Sequence, residues 1–187
     1  MYLVEFNGKE YKISSDVSLF SPKGADRGTL CMLDRARFGP DQKILDLGCG
    51  TGIVSVAACA FGADPLNVVM ADIDPRAVKC ASSNMEANGF HGALSVVSDG
   101  FSDIPGKDYD LILSNPPYHT DFKVAKNFIE KGFNRLKIGG VMMMVTKRKD
   151  WYKNKLISVF GGVRISEEEG YFIFEAQKRA MYYASKR

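Results

Sequence analysis

The feature that most constrains the fold is a regular alternation of short apolar segments with helical patterns from residue 43 onwards. Apolar runs of strand length lie at 43–47, 67–71, 94–97, 109–114 and 140–146. Helical spacing occurs at 52–61, 75–88, 121–136 and 150–160. Strands that are apolar along their whole length are typical of a parallel sheet with helices on both faces. The sequence therefore predicts an α/β fold whose sheet is mostly parallel.

Both ends of the chain add antiparallel elements to this pattern. Residues 1–6 and 10–13 flank Asn7-Gly8, which is a favourable two-residue hairpin turn. The segments 163–166 and 171–177 predict a closing antiparallel pair, which brings the sheet to seven strands. Residues 29–38 are expected to form a helix that Gly39-Pro40 closes.

Composition excludes several classes of protein. With 187 residues, 45% hydrophobic and 25% charged, the chain has the average composition of one soluble domain, not of a disordered or coiled-coil protein. No apolar run approaches the roughly 20 residues of a membrane span. The N-terminus lacks a basic region before its apolar stretch, so we expect no signal peptide and a cytoplasmic protein. The four cysteines form no CxxC pair, so we expect reduced thiols and no metal.

A glycine-rich turn follows the first strand of the alternating region. It reads Asp46-Leu47-Gly48-Cys49-Gly50-Thr51-Gly52, which has the spacing G-x-G-x-G. A dinucleotide fingerprint would place its third glycine at position 53, which is Ile53. The Asp46 carboxylate would repel a pyrophosphate and attract a cation such as a sulfonium that also carries an ammonium. The turn therefore favours a cationic ligand over a dinucleotide.

Acidic residues follow the next two strands. Asp72 is placed to accept both hydroxyls of a ribose, whereas Asp74, directly before Pro75, is expected to cap the next helix. Asp99 could accept a hydrogen bond from the exocyclic amine of adenine, with Phe101 packed on the ring. The alternative for Asp99 is a structural Asx turn.

The most specific segment is Asn115-Pro116-Pro117-Tyr118, at the end of the fourth strand. The two prolines keep the backbone extended and remove two donors. The side-chain oxygen of Asn115 and the carbonyl of Pro116 then form a rigid acceptor pair, which suits a planar –NH2 group. Tyr118 offers a ring on which a base or an amide can stack.

Basic residues interleaved with aromatic ones follow the fifth strand. The first group is Lys147, Arg148, Lys149, Lys153 and Lys155, beside Trp151 and Tyr152. The second is Lys178, Arg179, Lys186 and Arg187, beside Tyr182 and Tyr183. The net charge is only +3. These groups are either a solvated helix face and tail, or a surface that faces a polyanion such as RNA.

Taken as a set, residues 46–52, Asp72, Asp99 and 115–118 resemble the class I S-adenosylmethionine-dependent methyltransferases that modify an exocyclic or amide nitrogen. The resemblance is closest to the methyltransferase small domain, which includes ribosomal-RNA guanine-N2 methyltransferases. His119 extends the motif as in those enzymes, and Phe20-Ser21 with Asp26-Arg27-Gly28-Thr29 resembles their segment entering the cofactor pocket. The resemblance covers roughly residues 21–177.

The resemblance implies a Rossmann-like fold with a lead-in hairpin at 1–20 and the methyltransferase domain at 21–187. It implies S-adenosylmethionine as cofactor, with S-adenosylhomocysteine as product. The expected cofactor-binding residues are Asp46, Gly48, Gly50, Asp72, Ile73, Asp99, Phe101 and Asn115. The expected catalytic residues are Asn115, Pro116 and Tyr118. The expected substrate-binding residues are Pro117, His119, Lys147, Arg148, Lys149 and Trp151. His119 either removes the proton of the target amine, or contacts the target, or is a polar residue at the rim of the pocket.

The main functional hypothesis is methylation of guanine N2 in ribosomal RNA, with RNA or a ribosomal subunit as partner and no membrane. A protein glutamine-amide methyltransferase is the first alternative, since the acceptor pair would serve an amide equally well. A non-catalytic RNA-binding protein on the same fold is the second. A nicotinamide-dependent reductase is the third, and both Asp46 and Ile53 argue against it.

Overall fold

The computed structural model describes residues 1–15, 24–117 and 122–184. The strands are β1 Tyr2–Phe6, β2 Lys9–Ile13, β3 Ile44–Leu47, β4 Val68–Asp72, β5 Leu94–Val97, β6 Tyr109–Ser114, β7 Leu136–Thr146, β8 Arg164–Glu168 and β9 Tyr171–Gln177. The α-helices are α1 Arg27–Leu33, α2 Ile53–Ala60, α3 Pro75–Ala87, α4 Lys123–Arg135 and α5 Lys149–Phe160. None of these helices is long and apolar enough to cross a membrane.

Seven strands form one sheet in the order β5-β4-β3-β6-β7-β9-β8. All neighbours are parallel except β9, which runs antiparallel to both β7 and β8. The hairpin β1-β2 forms a separate two-stranded sheet. These findings confirm the predicted fold class. The chain proceeds outwards from β3 to β5 and then returns to pair β6 with the other side of β3, so the topological switch point lies between β3 and β6.

The core lies in two layers, one on each face of the sheet. Ile44 packs into the cluster that holds α1, α2, α3 and the hairpin, whereas the neighbouring Leu45 packs into the cluster that holds α4 and α5. All four residues of β3 are buried. Successive side chains of a strand point to opposite faces, so a strand covered on both sides is buried along its whole length, and β3 is apolar except for Asp46. This is why the strands lack an alternating pattern.

The N-terminal hairpin is attached to α3 through two asparagine amides. Asn88 accepts from the Lys12 backbone N–H at 3.0 Å and donates to the Lys12 carbonyl at 2.8 Å. Asn84 does the same with Ser14, at 2.9 Å in each direction. Asn84 also donates to the Thr51 carbonyl at 2.8 Å. Residues four apart on one helix face therefore pair with alternate residues of an extended chain and connect it to the glycine-rich turn.

The bounds of two elements differ by more than two residues from those expected. The helix predicted at 29–38 begins at Arg27 and ends at Leu33. It begins earlier because Asp26 is its N-cap and accepts from the Thr29 N–H at 2.9 Å. It ends earlier because the chain turns after residue 34 and brings the Phe38 ring onto Phe61, with 6.2 Å between ring centroids. Strand β7 begins at Leu136 and not at 140, with an irregular register opposite Tyr109.

Candidate active site

A cavity of about 380 Å³ opens at the carboxyl ends of β3, β4, β5 and β6, beside the switch point. Its walls include residues that follow each of these strands. Its lining residues include Tyr2, Asp26, Thr29, Asp46, Gly48, Gly50, Asp72, Ile73, Asp99, Asn115, Pro116, Pro117, Val124 and Phe128. Segments that are far apart in the chain meet here because parallel strands end at the same edge of the sheet.

The glycines of the turn after β3 have two different roles. Gly48, Gly50 and Gly52 all have positive φ, at 76°, 53° and 76°. Gly50 lines the cavity, and a Cβ there would meet no protein atom within 4 Å, so its backbone is open to a ligand. At Gly52 a Cβ would lie 2.8 Å from the Cβ of Ala81, so this glycine lets α2 approach α3 closely.

Asp46 is the buried acid of the site, with 2% of its surface exposed. Its carboxylate accepts a hydrogen bond from the Ser55 hydroxyl at 2.8 Å. Burial raises the pKa of Asp46 to about 7, and the nearby charge of Asp72 raises it further, whereas the Ser55 hydrogen bonds lower it. A carboxylate in this situation gains from the arrival of a cation, because a neighbouring positive charge stabilises its ionised form.

Asp72 lies at the end of β4 with both carboxylate oxygens directed by backbone donors. Oδ2 accepts from the Gly50 N–H and Oδ1 from the Asp74 N–H, each at 3.0 Å. Each oxygen retains a further lone pair, so the carboxylate can still accept hydroxyl hydrogens. Asp74 caps α3 by accepting from the Arg76 N–H at 2.9 Å, and the hydrogen bonds from Arg76 lower its pKa. The predicted cap is confirmed. Ile73, between the two acids, lines the cavity.

Phe101 does not lie where the sequence predicted. Asp99 lines the cavity as expected, but Phe101 is buried in the core, 6.4 Å from the Phe128 ring centroid in an edge-on arrangement. Gly100, with φ of 59°, turns the chain so that residue 101 enters the core. Phe128 of α4 lines the cavity in its place.

Asn115 lies at the end of β6, on the side of the cavity next to α1. Its Nδ2 donates to Asp26 Oδ1 at 2.7 Å and to Thr29 Oγ1 at 2.9 Å. The preceding Ser114 donates to the Leu47 carbonyl at 2.7 Å, which fixes the end of β6 against the end of β3. Asn115, Pro116 and Pro117 all line the cavity. The segment that offers two acceptors therefore adjoins the acids and glycines of the cavity.

Comparison with known proteins identifies the family at this point. The family model of the methyltransferase small domain matches residues 10–175. The chain belongs to the methyltransferase small domain family.

Two curated relatives are 31% and 32% identical to the chain over the aligned residues. The ribosomal RNA small subunit methyltransferase C of Cronobacter sakazakii is 31% identical over 172 residues, which is 90% of this chain and 49% of the relative. The protein of the same name from Psychromonas ingrahamii is 32% identical over 176 residues, 91% of this chain and 49% of the relative. The chain thus spans about half the length of these relatives.

A solved structure shares the fold closely. The Thermus thermophilus 16S rRNA N2 methyltransferase, solved in complex with AdoMet and guanosine, superposes with a TM-score of 0.85. It is 26% identical, and the match covers 95% of this chain and 50% of that one.

Several residues that line the cavity were not predicted as site residues from the sequence. Tyr2 comes from the N-terminal hairpin, and no local signal links it to the cavity. Asp26 and Thr29 belong to a segment noted only for its resemblance to the family. Val124 and Phe128 lie on α4, where Phe128 belongs to the same buried stripe as Ala125, Ile129 and Phe133, so its apolar character alone does not mark it as a wall residue.

The first basic group lies at the carboxyl end of β7, on the same sheet edge as the cavity but outside its walls. Each of its first three cations lies over an aromatic ring. Lys147 Nζ is 4.8 Å from the centroid of Tyr171, Arg148 is 5.0 Å from Phe122, and Lys149 is 5.0 Å from Phe172. Trp151 stacks on Phe122 at 4.3 Å. We call these seven residues the cation–aromatic surface.

The second basic group does not form one patch with the first. Lys178 is buried, and its ammonium donates to the Leu136 carbonyl at 2.7 Å, at the opposite end of β7. Burial lowers the pKa of Lys178. Lys178 therefore fits neither of the two alternatives for this group, a solvated tail or a surface that faces a polyanion. Lys186 and Arg187 lie outside the described residues, as do Phe20, Ser21, Tyr118 and His119.

The remaining polar and thiol groups supply no metal centre within residues 1–15, 24–117 and 122–184, where no cluster of three His, Cys, Asp or Glu could hold an ion. All four cysteines are free thiols, and Cys31, Cys49 and Cys59 are buried. Burial raises the pKa of Cys49, which lines the cavity, well above its ordinary value.

Proposed function

We propose that this chain is an S-adenosylmethionine-dependent methyltransferase that modifies an exocyclic amine, and that its target is guanine N2 of ribosomal RNA. The observation that carries the proposal is the acceptor segment Asn115-Pro116 on the wall of a cavity that also holds Asp46 and Asp72. The names of the relatives support RNA as the class of substrate. The activity belongs in the cytoplasm, with RNA or a ribosomal subunit as partner.

The residues present fit S-adenosylmethionine. Asp46 would meet the cofactor's ammonium, since it is a buried carboxylate at the glycine-rich turn. Asp72 would accept the ribose hydroxyls, and the open backbone of Gly50 leaves room for the cofactor beside it. Asp99 would accept from the adenine amine, with Phe128 against the ring. A cavity of about 380 Å³ lies in the range expected for a ligand of this size.

When bound, the cofactor supplies an electrophilic methyl group on a sulfonium. The exocyclic amine of the target is a poor nucleophile, because its lone pair is delocalised into the ring. The residues of the chain must therefore orient this amine for attack. The Asn115 side-chain oxygen and the Pro116 carbonyl would accept the two amine hydrogens and so direct the lone pair at the methyl carbon. This is catalysis by positioning and electrostatics. The amine becomes acidic once methylated and loses its proton without a strong base.

Tyr118 and His119, which follow the acceptor segment in the sequence, are the residues that we expect to contact the target. Tyr118 would stack on the target base, and His119 would accept the proton or line the rim. A stacked base cannot reach such a pocket, so the target must be flipped or single-stranded. The division into a lead-in at 1–20 and a catalytic domain at 21–187 is likewise part of the proposal.

The cation–aromatic surface would hold the RNA strand that flanks the target. Cations that already lie over aromatic faces are held in place for phosphates, and the rings can stack on bases. Losing a phosphate contact should weaken RNA binding and reduce its dependence on salt, with little effect on the chemical step.

Label transfer tests the proposal. The purified chain is incubated with methyl-labelled S-adenosylmethionine and with naked ribosomal RNA, ribosomal small subunits or a protein extract. We expect label that nuclease removes and that nucleoside analysis identifies as N2-methylguanosine. Label that protease removes would instead establish the glutamine-amide alternative. Absence of label together with absence of cofactor binding would overturn the methyltransferase proposal.

Matched variants separate chemistry from docking. Asn115→Ala should abolish transfer while cofactor still binds. Lys147→Ala with Lys149→Ala should weaken RNA binding with kcat nearly unchanged, whereas Lys9→Ala with Lys12→Ala, on the hairpin, should leave RNA binding intact. An equal effect of both lysine pairs would refute the assignment of the cation–aromatic surface.

A further inference from the structure

We infer that Asp26 and Thr29 act as a clamp on Asn115 which fixes the orientation of its side-chain amide, so that the oxygen and not the nitrogen is presented to the target amine. They are positioning residues: they act through Asn115. This inference rests on the proposed function and adds two residues to it.

Hydrogen-bond chemistry decides which end of the Asn115 amide faces α1. Asp26 Oδ1 lies 2.7 Å from the amide, and an ionised carboxylate can only accept hydrogen bonds. The Thr29 hydroxyl lies 3.2 Å from the same carboxylate oxygen and donates to it. Its oxygen is then an acceptor toward Asn115, at 2.9 Å. Both amide hydrogens are therefore engaged, and the remaining polar atom of the side chain is the carbonyl oxygen.

The clamp matters because an asparagine amide can rotate by half a turn about its last torsion, with nearly the same shape. In the flipped state a donor would face the donor hydrogens of the target amine. In that state the Asn115 oxygen no longer accepts from the target amine, and the Asn115 NH2 group repels the amine whose lone pair must be directed. A fixed amide avoids this at no cost during the reaction.

The rest of the fold holds the clamp in place. Asp26 Oδ1 also accepts from the Thr29 N–H at 2.9 Å, as the N-cap of α1. Gly28 lies directly against Tyr171, where a Cβ would come within 2.5 Å of the ring. Arg27 is ion-paired with Glu169, in the turn between β8 and β9. The position of Asp26 and Thr29 is thus fixed by contacts of α1 with β9 and with the turn between β8 and β9, and not by the loop that carries Asn115.

The two partners differ in the strength of their contact. A hydrogen bond to a charged acceptor contributes more than a neutral one. We expect Asp26→Ala to lower kcat by roughly 10- to 100-fold and Thr29→Val by roughly 3- to 10-fold. Thr29→Ser, which keeps the hydroxyl, should retain nearly full kcat. Asp26 and Thr29 also line the cavity, so the Kd for S-adenosylhomocysteine is measured for each variant and kcat is compared at saturating cofactor.

A double-mutant cycle on the full chain separates the clamp from the helix cap. Methyl transfer is already lost in an Asn115→Ala background, so the cycle is measured as the free energy of unfolding. Asp26→Ala should lower that free energy less in the Asn115→Ala background than in wild type, because there it removes the helix cap but no hydrogen bond to Asn115. An equal loss in both backgrounds would overturn the inference, because Asp26 would then act through the stability of α1. Retention of full kcat by Asp26→Ala would also overturn it. Should Asp26→Ala fail to fold, Thr29→Val against Thr29→Ser decides in the same way.

A second readout needs no turnover. The side-chain NH2 resonances of Asn115, assigned by their absence in Asn115→Ala, should shift in Thr29→Val and stay in place in Thr29→Ser. Unshifted resonances in Thr29→Val would refute the clamp. If the wild-type chain transfers no methyl group to RNA, the proposed function fails, while the resonances still decide whether the clamp exists.

Discussion

The burial of the Asp46 carboxylate predicts how the stability of the fold depends on pH. The predicted direction is opposite to the usual one for an acidic side chain, whose pKa folding normally lowers. The pKa of Asp46 is 3.8 as an ordinary side chain and about 7 in the folded chain. The folded state therefore holds this proton more tightly than the unfolded one, and the contribution of Asp46 to the free energy of unfolding falls as the pH rises from about 4 to about 7. At about 1.36 kcal/mol for each pH unit between the two values, the cost above pH 7 is about 4 kcal/mol.

Asp46→Asn should remove this cost, since the amide is neutral at every pH and can still accept from Ser55. We expect the variant to match wild type near pH 4 and to be more stable by about 2–4 kcal/mol at pH 8. Urea unfolding at both pH values measures the difference. Ser55→Ala is the control, because it removes the hydrogen-bond donor and leaves the carboxylate buried.

The same charge should make cofactor binding depend on pH. If binding requires the ionised carboxylate, the apparent Kd is the intrinsic Kd divided by the ionised fraction. That fraction falls from about 0.8 at pH 7.5 to about 0.03 at pH 5.5, so affinity for S-adenosylhomocysteine should drop about 25-fold. The cofactor's α-amino group, with an ordinary pKa of about 8, is mostly charged over this range. Calorimetry should show a weak and pH-independent Kd for Asp46→Asn. Equal pH profiles for wild type and variant, in unfolding and in binding, would refute the reasoning.

Two further predictions concern the contacts that hold the glycine-rich turn. Gly52→Ala should lower the free energy of unfolding by about 3 kcal/mol or more, because Gly52 has a positive φ and the new Cβ would lie 2.8 Å from Ala81. Gly62→Ala is the control: its new Cβ would meet nothing within 4 Å, so it should lower the free energy of unfolding by only about 1 kcal/mol. Equal urea midpoints for the two variants would contradict the close contact at Gly52. Asn84→Ala should lower the free energy of unfolding by about 2–3 kcal/mol and make the hairpin sensitive to protease, because the buried Asn84 amide joins Ser14 to Thr51. Asn88→Ala should lower it less, since the hydrogen bonds of Asn88 to the hairpin are more exposed. The opposite order would show that Asn84 does not anchor the hairpin.

Much of the fold could be predicted from local patterns. The apolar runs become the strands of the seven-stranded sheet, and the Asn7-Gly8 turn forms between β1 and β2. Asp74 caps α3 as its position before Pro75 indicated. Each of these features depends on residues within one or two turns of chain, which is why periodicity and turn chemistry are enough to predict them.

The errors arose where distant segments compete for one position. Phe101 follows a strand end and carries a ring, so the sequence favours it for the cofactor pocket. In the fold its ring enters the core, and Phe128 of α4 lines the cavity. The sequence groups Lys178 with the basic tail, yet its side chain is buried and donates to the carbonyl of Leu136, at the amino end of β7. A local pattern shows that a side chain is aromatic or charged, but not which face of the sheet it joins.

The sequence by itself determined the class of fold, the sheet edge that carries the site, and the chemistry of the acceptor segment Asn115-Pro116. These follow from spacing along the chain, because strand ends and proline-fixed turns are local properties. Only the tertiary structure decided that Tyr2 lines the cavity and that Asp26 and Thr29 hold the Asn115 amide. The latter contacts join residues 89 and 86 positions apart. They exist because the sheet brings β6 beside the start of α1, and no window of sequence contains both partners.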